Sequence, residues 1–136
     1  MTDQKQMNDK LLEFAGFEWV SKPQHIMRRG WIEGFWRIKG KKFRGNRYYY
    51  PPDFFNEDTG MRDIFKWVIP ELRAKYIGDD KKYWLLEIKV VMVYDGEVRV
   101  SLTLETHVGD SHKLAESGWC KSLTVALATA CALAVE

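Results

Sequence analysis

At 136 residues the chain suits one domain with one hydrophobic core, because a domain of this size buries roughly two-thirds of its unfolded surface. A hydrophobic fraction of 46% with 29% charged residues is that of a soluble globular protein and excludes extended disorder. The net charge of +2 conceals an asymmetry: between Arg28 and Arg47 eight basic residues face Glu33 alone, so that segment carries +7 and the remainder −5.

The N-terminal stretch 1–10 is polar and holds no apolar signal region, and the longest apolar run, 123–135, is too short to span a bilayer. Cys120 and Cys131 stand eleven positions apart in one apolar segment, about 16 Å along a helix, too far to bridge each other. A cytoplasmic, reduced protein with no membrane partner is expected.

Met7, Leu11, Leu12, Phe14 and Ala15 fall on one helical face, and Gly16 follows where a left-handed C-terminal cap is wanted. Residues 17–20 read as a short strand broken by Ser21-Lys22-Pro23, and 31–38 as a second strand interrupted by Gly34. Residues 28–50 then combine the basic excess with a dense set of rings: Trp31, Phe35, Trp36, Phe43 and Tyr48 to Tyr50. Gly45, the tyrosine run and Pro51-Pro52 predict a long irregular connection over 40–60, a length that inside compact domains tends to serve function.

Asp58 or Thr59 can cap a second helix whose apolar positions Met61, Ile64, Phe65, Val68, Ile69, Leu72 and Tyr76 follow the 3.6 period. Pro70 lies inside it and predicts a kink or break near 66–69. Residues 83–105 read as a hairpin with a three-residue Tyr94-Asp95-Gly96 loop, which pairs Met92 with Val98, Val90 with Val100, Ile88 with Leu102 and Leu86 with Leu104 on one apolar face. A two-residue loop would mix the faces. Residues 107–118 read as a polar loop, and 122–135, nearly free of charge, as a helix buried on several sides. The order predicts a single α+β domain over 1–136: an antiparallel sheet of about four strands with helices on one or both faces.

With these elements in this order, Leu11 to Trp19, the Pro52-Asp53-Phe54 turn before Ile64 to Pro70, and the Ala-rich final helix, the chain resembles the phage ABA-sandwich domain family of uncharacterised phage and prophage proteins. The resemblance implies an α-β-α three-layer sandwich and a phage or prophage source. It brings no activity whose residues could be carried over, and the basic segment departs from it.

Cations interleaved with rings are what nucleic acid or nucleotide binding needs, the cations for phosphates and the flat rings for base stacking. Arg37, Lys39, Lys41, Lys42, Arg44 and Arg47 are the candidate phosphate contacts, with Trp36 and Tyr49 as stacking candidates. The competing account makes the rings core and the lysines guards of a sheet edge. A protein-interaction module docking a host protein or a second copy of the chain is the alternative function. A further alternative is a Mg2+-dependent nuclease or nucleotide hydrolase built on Asp53, Glu57, Asp58 and Asp63, although capping and the helix dipole already account for Asp58 and Asp63. His107, Asp110 and His112 lack a third strong ligand at zinc spacing, and no nucleophile, Walker or dinucleotide motif is present. A non-enzymatic protein without cofactor or metal is expected.

Overall fold

A computed structural model describes residues 4–136. Helix α1 (Gln4–Phe14) buries Met7, Leu11 and Leu12. It ends where foreseen: Gly16 takes φ +100° and its N–H bonds the Glu13 carbonyl at 3.1 Å. The chain turns directly into β1 (Phe17–Ile26), which pairs antiparallel with β2 (Gly30–Ile38) as a two-stranded sheet.

The expected break at Ser21-Lys22-Pro23 is a bulge instead. Ser21 pairs with Gly34 and Gln24 with Ile32, so β1 spends one extra residue and carries its proline through where no ladder donor is required. Gly34 does not interrupt β2 either. A Cβ there would strike the Val20 carbonyl oxygen and stand 2.8 Å from the Trp19 ring, so the glycine makes room for an indole laid across the strand.

The second helix is continuous but irregular. It runs as α2 (Gly60–Asp63), a π turn (Ile64–Val68) and α3 (Ile69–Tyr76). The interruption expected from Pro70 takes this form: the Ile69 N–H donates to the Ile64 carbonyl five residues back, and Pro70 then enters the first turn of α3, where no donor is needed. The extra residue keeps Ile64, Val68, Ile69 and Leu72 all buried.

Strands β3 (Tyr83–Met92) and β4 (Val98–Thr106) have the foreseen register, Met92 opposite Val98 through Leu86 opposite Leu104. Gly96 sits at φ +91°, the Val93 N–H bonds the Glu97 carbonyl at 3.0 Å, and Asp95 Oδ1 accepts from the Glu97 N–H at 3.0 Å. The supposed polar loop 107–118 contains a further strand, β5 (Ser111–Glu116), antiparallel to β4. Among the described residues the about four strands expected are therefore five, in two sheets ordered β1-β2 and β3-β4-β5.

Helix α4 (Leu123–Ala134) is capped by Ser122, whose Oγ accepts from the Val125 N–H at 3.2 Å and donates to Glu57 at 2.8 Å. It packs on β4 and β5 on one side and on α1 and α2 on another, which explains its near-chargeless sequence. Val98, Val100 and Leu102 pack in one core cluster with this helix layer, and Leu104 is buried on the same face of β4. The opposite face of β4 and β5 carries Arg99, Ser101 and Lys113 around Glu116, with Lys113 Nζ 2.6 Å from its carboxylate. The helices thus cover the apolar face of the three-stranded sheet, and the other face mixes the polar groups of β4 and β5 with the half-buried Leu85 and Val91 of β3. Both cysteines are free thiols, and burial pushes Cys131 up to about 12, leaving it a core apolar group.

Candidate anion-binding face

The β1-β2 register sorts the basic segment onto two faces, because alternate side chains of a strand point to opposite sides. On one face Phe17, Trp36 and Ile38 turn toward the core. Phe17 meets Tyr48 and Trp67 edge-on, with ring centroids 5.3 and 5.0 Å apart, which anchors the base of the ribbon to the helix layer. The opposite face carries Glu18, Val20 and His25 of β1 with Trp31, Glu33, Phe35 and Arg37 of β2.

Residues 47–49 extend this second face. The Trp36 and Tyr48 backbones exchange hydrogen bonds of 3.1 and 2.7 Å, so the chain runs beside β2 as a short third strand. Arg47 and Tyr49 consequently flank Phe35: the Arg47 guanidinium lies 5.1 Å from the Phe35 ring, and the Tyr49 ring meets Phe35 edge-on at 6.0 Å. Arg29, from the turn joining β1 to β2, lies 5.1 Å from the Tyr49 ring and 4.1 Å from the Tyr50 ring. The result is a contiguous row of guanidinium and aromatic groups, Arg47, Phe35, Tyr49, Arg29 and Tyr50, with Tyr50 78% exposed and Trp31, on the same side of the ribbon, 65% exposed.

Beyond Ile38 the chain forms a basic loop whose Lys39, Lys41, Lys42 and Arg44 are all exposed. One buried side chain organises it. Asn46 Oδ1 accepts from the Ile38 N–H at 2.7 Å, and its Nδ2 donates to the carbonyls of Ile38 (3.0 Å) and Lys41 (2.8 Å). The Lys39 N–H bonds the Gly16 carbonyl at 2.8 Å, tying the loop to the end of α1. Replacing Asn46 with Ala strands buried backbone groups, so a loss of about 2 kcal/mol is expected in denaturant unfolding, with faster amide exchange over 38–46.

Of the eight basic residues from Arg28 to Arg47, only Arg37 is ion-paired among the described residues; it lies 2.7 Å from Glu18 directly across the ribbon. Arg47 and Tyr49 flank the same ring, and the loop cations follow Ile38 at the end of β2. Trp36 does not join them. It lies half-buried on the core-facing side, edge-on to Trp19 at 5.6 Å, lining a cleft of about 320 Å³ with Lys5, Asp9 and Glu13. Arg29 and Tyr50 stand beside Tyr49 instead, while Phe35 is only 5% exposed beneath Arg47 and Tyr49 and serves as the floor of the group rather than as a free ring face. Strand parity carries the placement of Trp36, which lies on the side opposite Arg37.

Three of the four carboxylates considered for Mg2+ are occupied locally: Asp53 accepts from the Phe55 N–H, Glu57 from Ser122, and Asp63 pairs with Arg62. No three His, Cys, Asp or Glu among the described residues gather closely enough to hold a metal. His112 instead stacks on Tyr83 at 6.2 Å. No helix among the described residues is long and apolar enough to cross a membrane. Comparison with protein-family models, with curated proteins and with solved structures gives no match.

Proposed function

We propose that the protein binds single-stranded nucleic acid on the ribbon face bearing Arg29, Arg47, Tyr49 and Tyr50, with the exposed Trp31 on the same side of the ribbon and buried Phe35 as its floor, continued by the loop cations Lys39, Lys41, Lys42 and Arg44. The observation that carries this reading is that seven of the eight cations in the segment lack an ion pair among the described residues while two of them lie against rings. A guanidinium laid on a ring keeps N–H donors free at its rim, which suits a phosphate, and exposed rings offer faces for unpaired bases. Nine residues of β2 span about 30 Å, room for several nucleotides.

The binding is non-catalytic in this reading, and an accessory role in a phage is part of the proposal, resting on the residue pattern alone. Fluorescence anisotropy with a labelled oligo-dT strand tests it. Affinity should fall linearly in log salt with a slope of about −0.7 per phosphate contacted, and exceed that for a duplex of equal length. Absence of binding at low salt, or indifference to salt, overturns the assignment; cleavage of the strand on adding Mg2+ overturns its non-catalytic part.

A second reading, docking of a protein, draws on Met27 (82% exposed) and Trp31 at the ribbon tip. Such binding would survive salt that strips an oligonucleotide.

A further inference from the structure

We infer that the free edge of β3 pairs with the β3 edge of a second copy of this chain, making one continuous six-stranded antiparallel sheet. Among the described residues β3 has β4 on one side and, on the other, only a bridge from Ile77 to Tyr83 at its very start. From Trp84 to Met92 the outer edge is open. Natural edges of this length are usually blunted by charge, proline or bulges. Here the only charges over 84–92 are Glu87 and Lys89, and the only bulge is at Trp84. Val90 and Met92 are 43% and 71% exposed although they lie on the face whose β4 partners are buried.

The register of such a pairing follows from the hairpin. Val93 bonds Glu97, so in the alternation of an antiparallel ladder Val91, Lys89 and Glu87 spend their backbone groups on β4. Leu86, Ile88, Val90 and Met92 direct theirs to the open edge. A two-fold axis at Ile88 sets Ile88 against its own copy, Leu86 against Val90, Leu85 against Val91 and Trp84 near Met92. Glu87 then lies opposite Lys89 on both sides of the axis. Sliding one step in the allowed phase centres the axis on residue 87 or 89 and puts Glu87 against Glu87 or Lys89 against Lys89. One register therefore matches apolar with apolar and charge with opposite charge. This self-complementarity is what an isologous interface requires, and it identifies a second copy rather than an unrelated strand.

The charge pair supplies the test. Glu87 and Lys89 are exposed and make no ion pair or side-chain hydrogen bond among the described residues, so exchanging them leaves the protomer's fold intact. Sedimentation equilibrium of the full chain should give twice the 16.0 kDa protomer mass at the concentrations where it associates. Glu87→Lys alone and Lys89→Glu alone each place like charges opposite at two symmetric positions, and should each weaken self-association about tenfold or more. Mixing the two single variants restores opposite charges across the interface and should recover the dimer, as should the double exchange in one chain. A protomer mass at every concentration overturns the inference, and so does a dimer that neither single variant weakens or that mixing fails to restore. The ribbon lies on the other sheet, so failure here leaves the nucleic-acid reading standing, and the reverse holds.

Discussion

Reversal of Lys39, Lys41, Lys42 and Arg44 to Glu is expected to abolish measurable binding of a single-stranded oligonucleotide at physiological salt while leaving the fold unchanged. All four side chains are exposed and unpaired among the described residues, so the change in unfolding free energy should stay within about 0.5 kcal/mol per site. Each lost phosphate contact removes about 0.7 from the salt slope, and four remove about 3. Arg37→Glu gives the internal contrast. Arg37 is already committed to Glu18, so its reversal should cost less affinity and more stability, about 0.5–1 kcal/mol from two carboxylates facing each other across the ribbon. Anisotropy titrations at three salt concentrations, with thermal melts of the same samples, read both quantities. Equal losses from Arg37 and from the loop cations would tell against the loop as the phosphate-contacting element. A binding loss that follows melting temperature would make the loop a structural element only.

Legibility of the fold tracked the strength of local physics. The hairpin register could be derived because a slip of one residue would have moved Val98, Val100, Leu102 and Leu104 to the wrong face. The Gly16 cap and the irregularity at Pro70 were legible because each rests on one residue's backbone chemistry. Strand β5, Ser-His-Lys-Leu-Ala-Glu, was not, since only Leu114 and Ala115 meet the core and its order comes from the β4 ladder rather than its own pattern. Pro23 read as a terminator because sequence gives no sign that the partner strand can be one residue shorter opposite it.

The candidate site was legible in composition but not in facing. Charge count found the basic loop, and spacing along the chain could not tell that Asn46, an unremarkable Gly-Asn residue in the sequence, is the buried post on which the loop hangs. The facing of Trp36 was illegible for a related reason. Phe35 and Trp36 are both rings beside cations, and spacing along the chain does not say which parity the core claims. Phe17 packs on Tyr48 and Trp67 with Trp36 on the same side, while Phe35, on the other, is covered by Arg47 and Tyr49 and is only 5% exposed. Arg29 could not be placed from sequence at all, because its contact with Tyr49 and Tyr50 spans twenty residues and depends on the ribbon folding back.

Gly60→Ala should be among the most damaging single substitutions in the chain, costing about 3 kcal/mol, near the upper end of overpacking effects. Gly60 opens α2, where intrinsic propensity would favour Ala by about 1 kcal/mol, so a purely helical view predicts the opposite sign. Packing decides against it. A Cβ at Gly60 would collide with the Phe54 carbonyl oxygen and carbon and stand 2.7 Å from Thr124 Cγ2. Neither neighbour can yield cheaply. Phe54 is fully buried, and its N–H is held at 2.8 Å by Asn8 Oδ1 while Asn8 Nδ2 bonds the Pro52 carbonyl at 3.1 Å, so the 52–54 turn is clamped to α1. Thr124 lies in the first turn of α4, which is wedged between the sheet and α1. The strain must therefore move α2 or α4, and chemical denaturation should show a lower midpoint with an unchanged slope. Asn8→Ala, which frees the turn, should reduce the added cost of Gly60→Ala in a double-mutant cycle, and full additivity would show that the turn is not what resists.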